Sequence, residues 1–85
     1  MTSFQRITDI PELGQRVRKL RRMAGLAQWQ LAEQSGLSQG TISNIESGAT
    51  DDVFVKTATN IYYALRRHLP GLPAKVMLGR PVNNQ

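Results

Sequence analysis

Residues 28–44 read Gln28-Trp29-Gln30-Leu31-Ala32-Glu33-Gln34-Ser35-Gly36-Leu37-Ser38-Gln39-Gly40-Thr41-Ile42-Ser43-Asn44, and the order of small, apolar and polar positions among them decides the fold. Leu31 and Ala32 supply the inward face of a short helix from Gln28 to Gln34. Gly36 ends it, offering the left-handed conformation that a Cβ would resist. Only three residues separate Ser35 from Gln39, where a second helix opens behind Ser38 as N-cap, so the connection is a tight bend. Small Ala32 lets the two helices cross closely, and Ile42 and Ile45 lock the second onto a core. Gln39, Gly40, Ser43 and Asn44 are left pointing outward, and Gly48 closes this helix after about nine residues.

Upstream, Leu13, Val17, Leu20 and Ala24 recur at the spacing of one helical face, with Pro11 and Glu12 as a start signal and Gly25 as a stop. The pattern predicts a helix over Pro11 to Met23. Downstream, a fourth helix is expected behind Thr50 or Asp51, with Asp51 and Asp52 capping its first turn. Its apolar face would be Phe54, Thr57 or Ala58, Ile61, and Ala64 or Leu65; Arg66, Arg67 and His68 suit its end, and Leu69-Pro70-Gly71 stops it. The segment 72–81 alternates as a strand would, yet Pro73 before it, Gly79 after it and Pro81 beyond favour a short fifth helix. Residues 82–85 read as a frayed tail. The organisation expected is an arm over 1–10, a helical domain over 11–69, and a C-terminal dimerisation segment and tail over 70–85.

The chain has 85 residues, 40 % of them apolar, and no cysteine, which describes one small domain and excludes a disulfide scaffold or thiolate zinc site. Eleven Lys and Arg against six Asp and Glu give net +5, pointing to an anionic partner. Five of those cations, Arg16, Arg18, Lys19, Arg21 and Arg22, fall within seven positions of the first helix. No apolar run approaches the roughly 20 residues of a bilayer span, and the polar opening lacks the core of a signal peptide, so a cytoplasmic location without membrane contact is expected. An enzyme has little support, because no nucleophile stands in a recognisable arrangement with a base and His68 is alone. Neither a cofactor nor a metal is implied.

The stretches Leu13-Gly14-Gln15-Arg16-Val17-Arg18-Lys19-Leu20-Arg21, Gly25-Leu26-Ala27-Gln28-Trp29-Gln30-Leu31-Ala32 and Ser35-Gly36-Leu37-Ser38-Gln39-Gly40-Thr41-Ile42-Ser43-Asn44-Ile45-Glu46-Ser47-Gly48 resemble the Cro/repressor (XRE-type) helix-turn-helix family. The resemblance continues more loosely through Asn60-Ile61-Tyr62-Tyr63-Ala64-Leu65. It implies an all-α, lambda-repressor-like bundle of four to five helices whose third helix enters the DNA major groove.

Carried over residue by residue, the resemblance makes Gln39 the main base-reading residue, with Asn44, Ser43 and Gly40 beside it, and Gln28 the amide that braces Gln39 while touching a phosphate. Ser38 and Thr41 join Gln28 as backbone contacts. An outward Gln or Asn suits adenine, pairing with N7 and N6 in one plane. Gly40 departs from the family in lacking a side chain there, and Ala27 in lacking a capping hydroxyl. Asp51 and Asp52 put an acidic pair where the family often has neutral or basic residues. Arg21 and Glu46 match a structural ion pair fixing the first helix against the third.

Each of these has a blander reading. Arg16, Arg18, Lys19 and Arg22 are the candidate phosphate contacts, although a basic helix face is commonly only a solvated one. Trp29 fits partial packing over a neighbouring helix better than a partner contact, and Tyr62 and Tyr63 fit core and dimer surface better than a base-stacking platform. Leu69, Leu72, Val76 and Leu78 are the expected homodimer surface.

Together these readings predict a sequence-specific regulator of double-stranded DNA, a homodimeric repressor of phage or mobile-element type on a palindromic operator. The alternative is an antitoxin with a protein toxin partner, because Met1-Thr2-Ser3-Phe4-Gln5-Arg6-Ile7 before the motif resembles the opening of HipB-type antitoxins. In that family the C-terminal segment tends to pair as strands between subunits, which would make Ala74 to Leu78 extended.

Overall fold

The computed structural model describes residues 6–7, 12–50 and 53–78. Its elements are β1 (Arg6–Ile7), α1 (Leu13–Met23), α2 (Gln28–Ser35), α3 (Gln39–Ser47), β2 (Val53–Phe54), α4 (Val55–Arg66) and α5 (Lys75–Leu78). The fold is all-α apart from one antiparallel pairing of two residues on each side, Arg6 opposite Phe54 and Ile7 opposite Val53.

The central pair of helices begins and ends where local chemistry places the boundaries. Ala27 and Ser38 are extended N-cap residues, and Gly36 and Gly48 close the two helices at φ 73° and φ 82°. Leu31, Ala32 and Ser35 of α2 face Ile42, Ile45 and Glu46 of α3 as buried residues. Val17 and Leu20 from α1 and Ala58, Ile61, Ala64 and Leu65 from α4 complete the core. Tyr62 is also buried, and its hydroxyl donates to the Leu72 carbonyl at 2.7 Å, so the polar tip of the ring is satisfied at the core edge.

Three expectations are corrected. Helix α1 starts at Leu13 rather than Pro11: Glu12 turns the chain into it with φ 59°, and its carbonyl accepts the first helical hydrogen bond, from Arg16 N at 3.1 Å. Helix α4 starts at Val55 rather than behind Thr50 or Asp51, and its first turn holds no acidic residue. Val53 and Phe54 are extended because their backbones pair with β1, which takes Phe54 off the apolar face of α4 and leaves it 39 % exposed. Asp51 and Asp52 themselves, like Pro11, Gly79, Pro81 and the tail, lie outside the described residues.

Residues 75–78 are helical, the outcome that the proline and glycine placement favours, although the helix opens two residues later than Pro73. The side chain anchoring this segment is Met77, fully buried. Helical geometry brings one residue of such a short helix to the core and turns its neighbours outward, so Val76 is only half-buried. Met77 thus packs with the same core as the helices before it.

Candidate nucleic-acid interface

Helix α3 is fixed from two sides. At its C-terminal end the backbone of Ile45 lies so close to Gly14 of α1 that any Cβ there would overlap the Ile45 carbonyl oxygen. Beside this crossing the Arg21 guanidinium reaches Glu46 as a fork: Nε donates to Oε2 at 2.7 Å and Nη2 to Oε1 at 3.0 Å. Nη1 donates to the Leu26 carbonyl at 2.8 Å, so three elements meet on one buried cation. Hydrogen bonding to Glu46 holds the Arg21 guanidinium above its ordinary pKa, against the opposing effect of burial, so it stays charged throughout the range in which the protein works.

Gln28, the first residue of α2, adds a second layer. Its Nε2 donates to Glu46 Oε1 at 3.1 Å, joining the N-terminus of α2 to the C-terminal turn of α3. The family resemblance implies that Gln28 braces Gln39, but the hydrogen bond found runs to Glu46. Gln28 is half-buried at the first position of α2, where the helix N-terminus favours an anion.

The outward face of α3 carries Gln39, Gly40 and Asn44, all exposed, with Ser43 and Thr41 half-buried beside them. Ser38 and Thr41 are engaged locally: Thr41 N donates to Ser38 Oγ at 3.1 Å, and the two hydroxyls lie 2.9 Å apart. They cap the first turn of α3 and keep Gln39 at the tip. A Cβ added to Gly40 would approach nothing closer than Ser38 Oγ at 3.9 Å, so the fold itself does not require glycine there. Neutral amides on an exposed helix, with no hydrogen bond to hold them among the described residues, are free to pair with base edges in one plane.

The cations of α1 divide. Arg16 turns toward α5, where its Nη1 donates to the Val76 carbonyl at 3.4 Å. Arg18, Lys19 and Arg22 line a shallow groove with Gln15 and Met23, opposite Glu46 and Ser47 of α3. Leu69, Leu72 and Val76 pack half-buried against the protomer's own core, while only the backbone of Leu78 belongs to the described structure. Trp29 is 56 % exposed, and Tyr63 stands 46 % exposed with its ring edge-on to Tyr62 at 5.2 Å. His68 Nε2 lies 2.8 Å from Gln34 Oε1, tying the end of α4 to α2. Among the described residues no group of three His, Cys, Asp or Glu side chains could hold a metal ion, and no helix is long and apolar enough to cross a membrane.

Sequence reasoning missed three contributors: Leu26 as the third partner of Arg21, Met77 as a core residue and Gly14 as the crossing point. Gly14 alone had a local signal, a glycine in the first turn of an otherwise strong helix, where it costs about 1 kcal/mol relative to alanine and so needs a packing reason.

Two short helices crossing at a glycine turn, the second braced by an internal ion pair and presenting exposed amides, define a helix-turn-helix DNA-binding domain. The chain belongs to the Cro/repressor-type helix-turn-helix family: residues 12–62 match the family model described as "Helix-turn-helix domain". Among solved structures it is similar to the restriction-modification controller protein C.AhdI from Aeromonas hydrophila. The identity is 34 %, the TM-score 0.63, and the match covers 72 % of this chain and 96 % of that one. No curated protein sequence matches the chain significantly. Family and fold make the protein a DNA-binding transcription regulator, of a class that is typically non-enzymatic.

Proposed function

We propose that the protein is a sequence-specific regulator that binds double-stranded DNA as a homodimer on an inverted-repeat operator and represses transcription by occupying a promoter. The observation that carries the reading is the exposed Gln39, Gly40 and Asn44 face of α3, on a helix whose tilt Arg21, Glu46 and Gln28 fix. Gln39 reads adenine bidentately at the helix tip, and Asn44 takes a second base edge, with Ser43 at a base or phosphate. Gln28 and the first turn of α2 hold a phosphate, which sets the register of α3 in the groove. One small module reads few base pairs, so a two-fold pair of half-sites one helical turn apart supplies the specificity. The similarity to a restriction-modification controller supports a regulatory role. The half-buried Leu69, Leu72 and Val76 at the α4–α5 end, together with Leu78, form the proposed dimer surface.

The antitoxin alternative has no structural observation in its favour: the segment that would pair as a strand in that family is helical over Lys75–Leu78.

Selection of bound sequences from a random duplex pool tests the proposal. The expected result is a motif with inverted symmetry whose adenine preference disappears in Gln39→Ala. Enrichment without any sequence preference overturns it, and a monomer in sedimentation that binds DNA one to one removes the dimer.

A further inference from the structure

We propose that the groove between α1 and the last turn of α3 is a phosphate seat formed by Arg18, Lys19 and Arg22, and that Arg16 has no part in it. The proposal rests on the DNA-binding reading above and adds which cations meet the backbone of the duplex, and where.

In the sequence the four cations are equivalent members of one basic run. In the structure they are not. Arg16 points to the α5 side, where it donates to the last turn of that helix through the Val76 carbonyl. Arg18, Lys19 and Arg22 converge on an open groove of about 730 Å³ whose opposite wall is Glu46 and Ser47 of the recognition helix. Among the described residues Glu46 is the one acid lining the groove, and both its oxygens are already committed to Arg21 and Gln28. Among the described residues none of the three groove cations makes an ion pair or a side-chain hydrogen bond. All three are exposed. Among the described residues the groove is therefore a concentration of uncompensated positive charge, which suits an anion.

Position argues that this anion is the sugar-phosphate backbone of the DNA that α3 reads. Glu46 lies in the groove wall and also holds Gln28, so the seat is continuous with the N-terminus of α2 and with the recognition helix. A strand held at the N-terminus of α2 would then extend along the end of α3 toward the groove that Arg18, Lys19 and Arg22 line. Two forked guanidiniums and one ammonium suit successive phosphates. An acidic protein would need a desolvated apolar anchor at the centre of its interface, and among the described residues the only apolar side chain in the lining is Met23, which is 61 % exposed.

Salt dependence separates the cases, because each lost phosphate contact lowers the slope of log K against log salt by about 0.9. The full chain is titrated against a random-sequence 30-base-pair duplex as wild type, Arg16→Ala, each groove alanine variant and the triple variant. Each groove variant is expected to lower the slope by about 0.9 and the triple by about 2.7, so that raising salt from 50 to 200 mM costs the triple roughly 40-fold less affinity than wild type. Arg16→Ala keeps the wild-type slope, Lys19→Arg also keeps it, and the melting temperature of the triple is unchanged.

A triple variant with the wild-type slope overturns the seat; if Gln39-dependent preference persists there, the regulatory reading still stands. An Arg16→Ala slope that falls like the others overturns the division between the cations. A triple that loses binding to polyglutamate while its DNA slope stays unchanged makes the groove an acidic-protein site and overturns the proposal. Wild type that binds no duplex overturns the regulatory reading itself, and the seat with it.

Discussion

Arg21 and Glu46, 25 residues apart, form a two-pronged buried ion pair that joins the scaffold helix α1 to the recognition helix α3, and the Gln28 amide closes on the same carboxylate. The pair sets an angle: with Glu46 at the end of α3 held, the outward face of Gln39, Gly40 and Asn44 cannot rotate independently of α1. A buried pair adds little net stability over an apolar substitute, yet breaking it strands a charge.

Arg21→Met is therefore expected to cost about 3–5 kcal/mol, read as a lower melting temperature, and Arg21→Met with Glu46→Leu to recover most of it. An unchanged melting temperature in the single variant would show that the pair is not structural. The pH dependence follows in sign. Hydrogen bonding to Glu46 raises the Arg21 pKa in the folded state, so its contribution is complete below the unfolded pKa and is lost only as pH rises through the folded one. That lies above the ordinary guanidinium range, so thermal melts between neutral pH and about pH 10 should show no loss traceable to Arg21.

Gly14 and Gly40 give opposite expectations for the same substitution. Both stand in the first turn of a helix, where alanine is intrinsically better by about 1 kcal/mol. At Gly14 the added Cβ meets the Ile45 carbonyl, so Gly14→Ala pushes α1 off α3 and lowers stability by about 1–3 kcal/mol. At Gly40 the space is open, so Gly40→Ala raises stability by up to about 1 kcal/mol. Denaturant midpoints moving in the same direction for both variants would contradict the crossing geometry.

Ala27 occupies an N-cap position without an oxygen to offer. Its backbone is extended, and its own N–H already donates to Gln30 Oε1 at 2.8 Å, half of a capping box. Ala27→Ser completes the box by accepting from the Gln30 N–H, an expected gain of about 1 kcal/mol in chemical unfolding without loss of DNA affinity.

Met77 decides whether α5 belongs to the bundle. It is fully buried, so Met77→Ala is expected to cost about 2–5 kcal/mol, with Val76→Ala costing distinctly less. Equal small effects at both positions would make α5 an appendage rather than part of the core.

The boundaries of α2 and α3 were legible in the sequence to within one residue, α2 ending at Ser35 and not Gln34, because they rest on chemistry within a few residues: the Ser38 cap, left-handed glycines at Gly36 and Gly48, and apolar spacing between them. The candidate base-reading face was legible for the same reason, since the residues that do not pack are those that remain. The start of α4 was not. Val53 and Phe54 are extended through pairing with Ile7 and Arg6, 46 and 48 residues away, and no local pattern carries that information.

By itself, then, the sequence determined the helical class, the turn that sets α3 against α2, and the amides presented on α3, all of which follow from short-range backbone preference and periodicity. Only the tertiary structure decided that Gln28 donates to Glu46, that Met77 and not its neighbours is fully buried in the core, and that Arg16 parts from Arg18, Lys19 and Arg22. The physical reason is common to the three. Each depends on which of several chemically equivalent side chains meets a partner from a distant element, and helix packing, not local propensity, makes that choice.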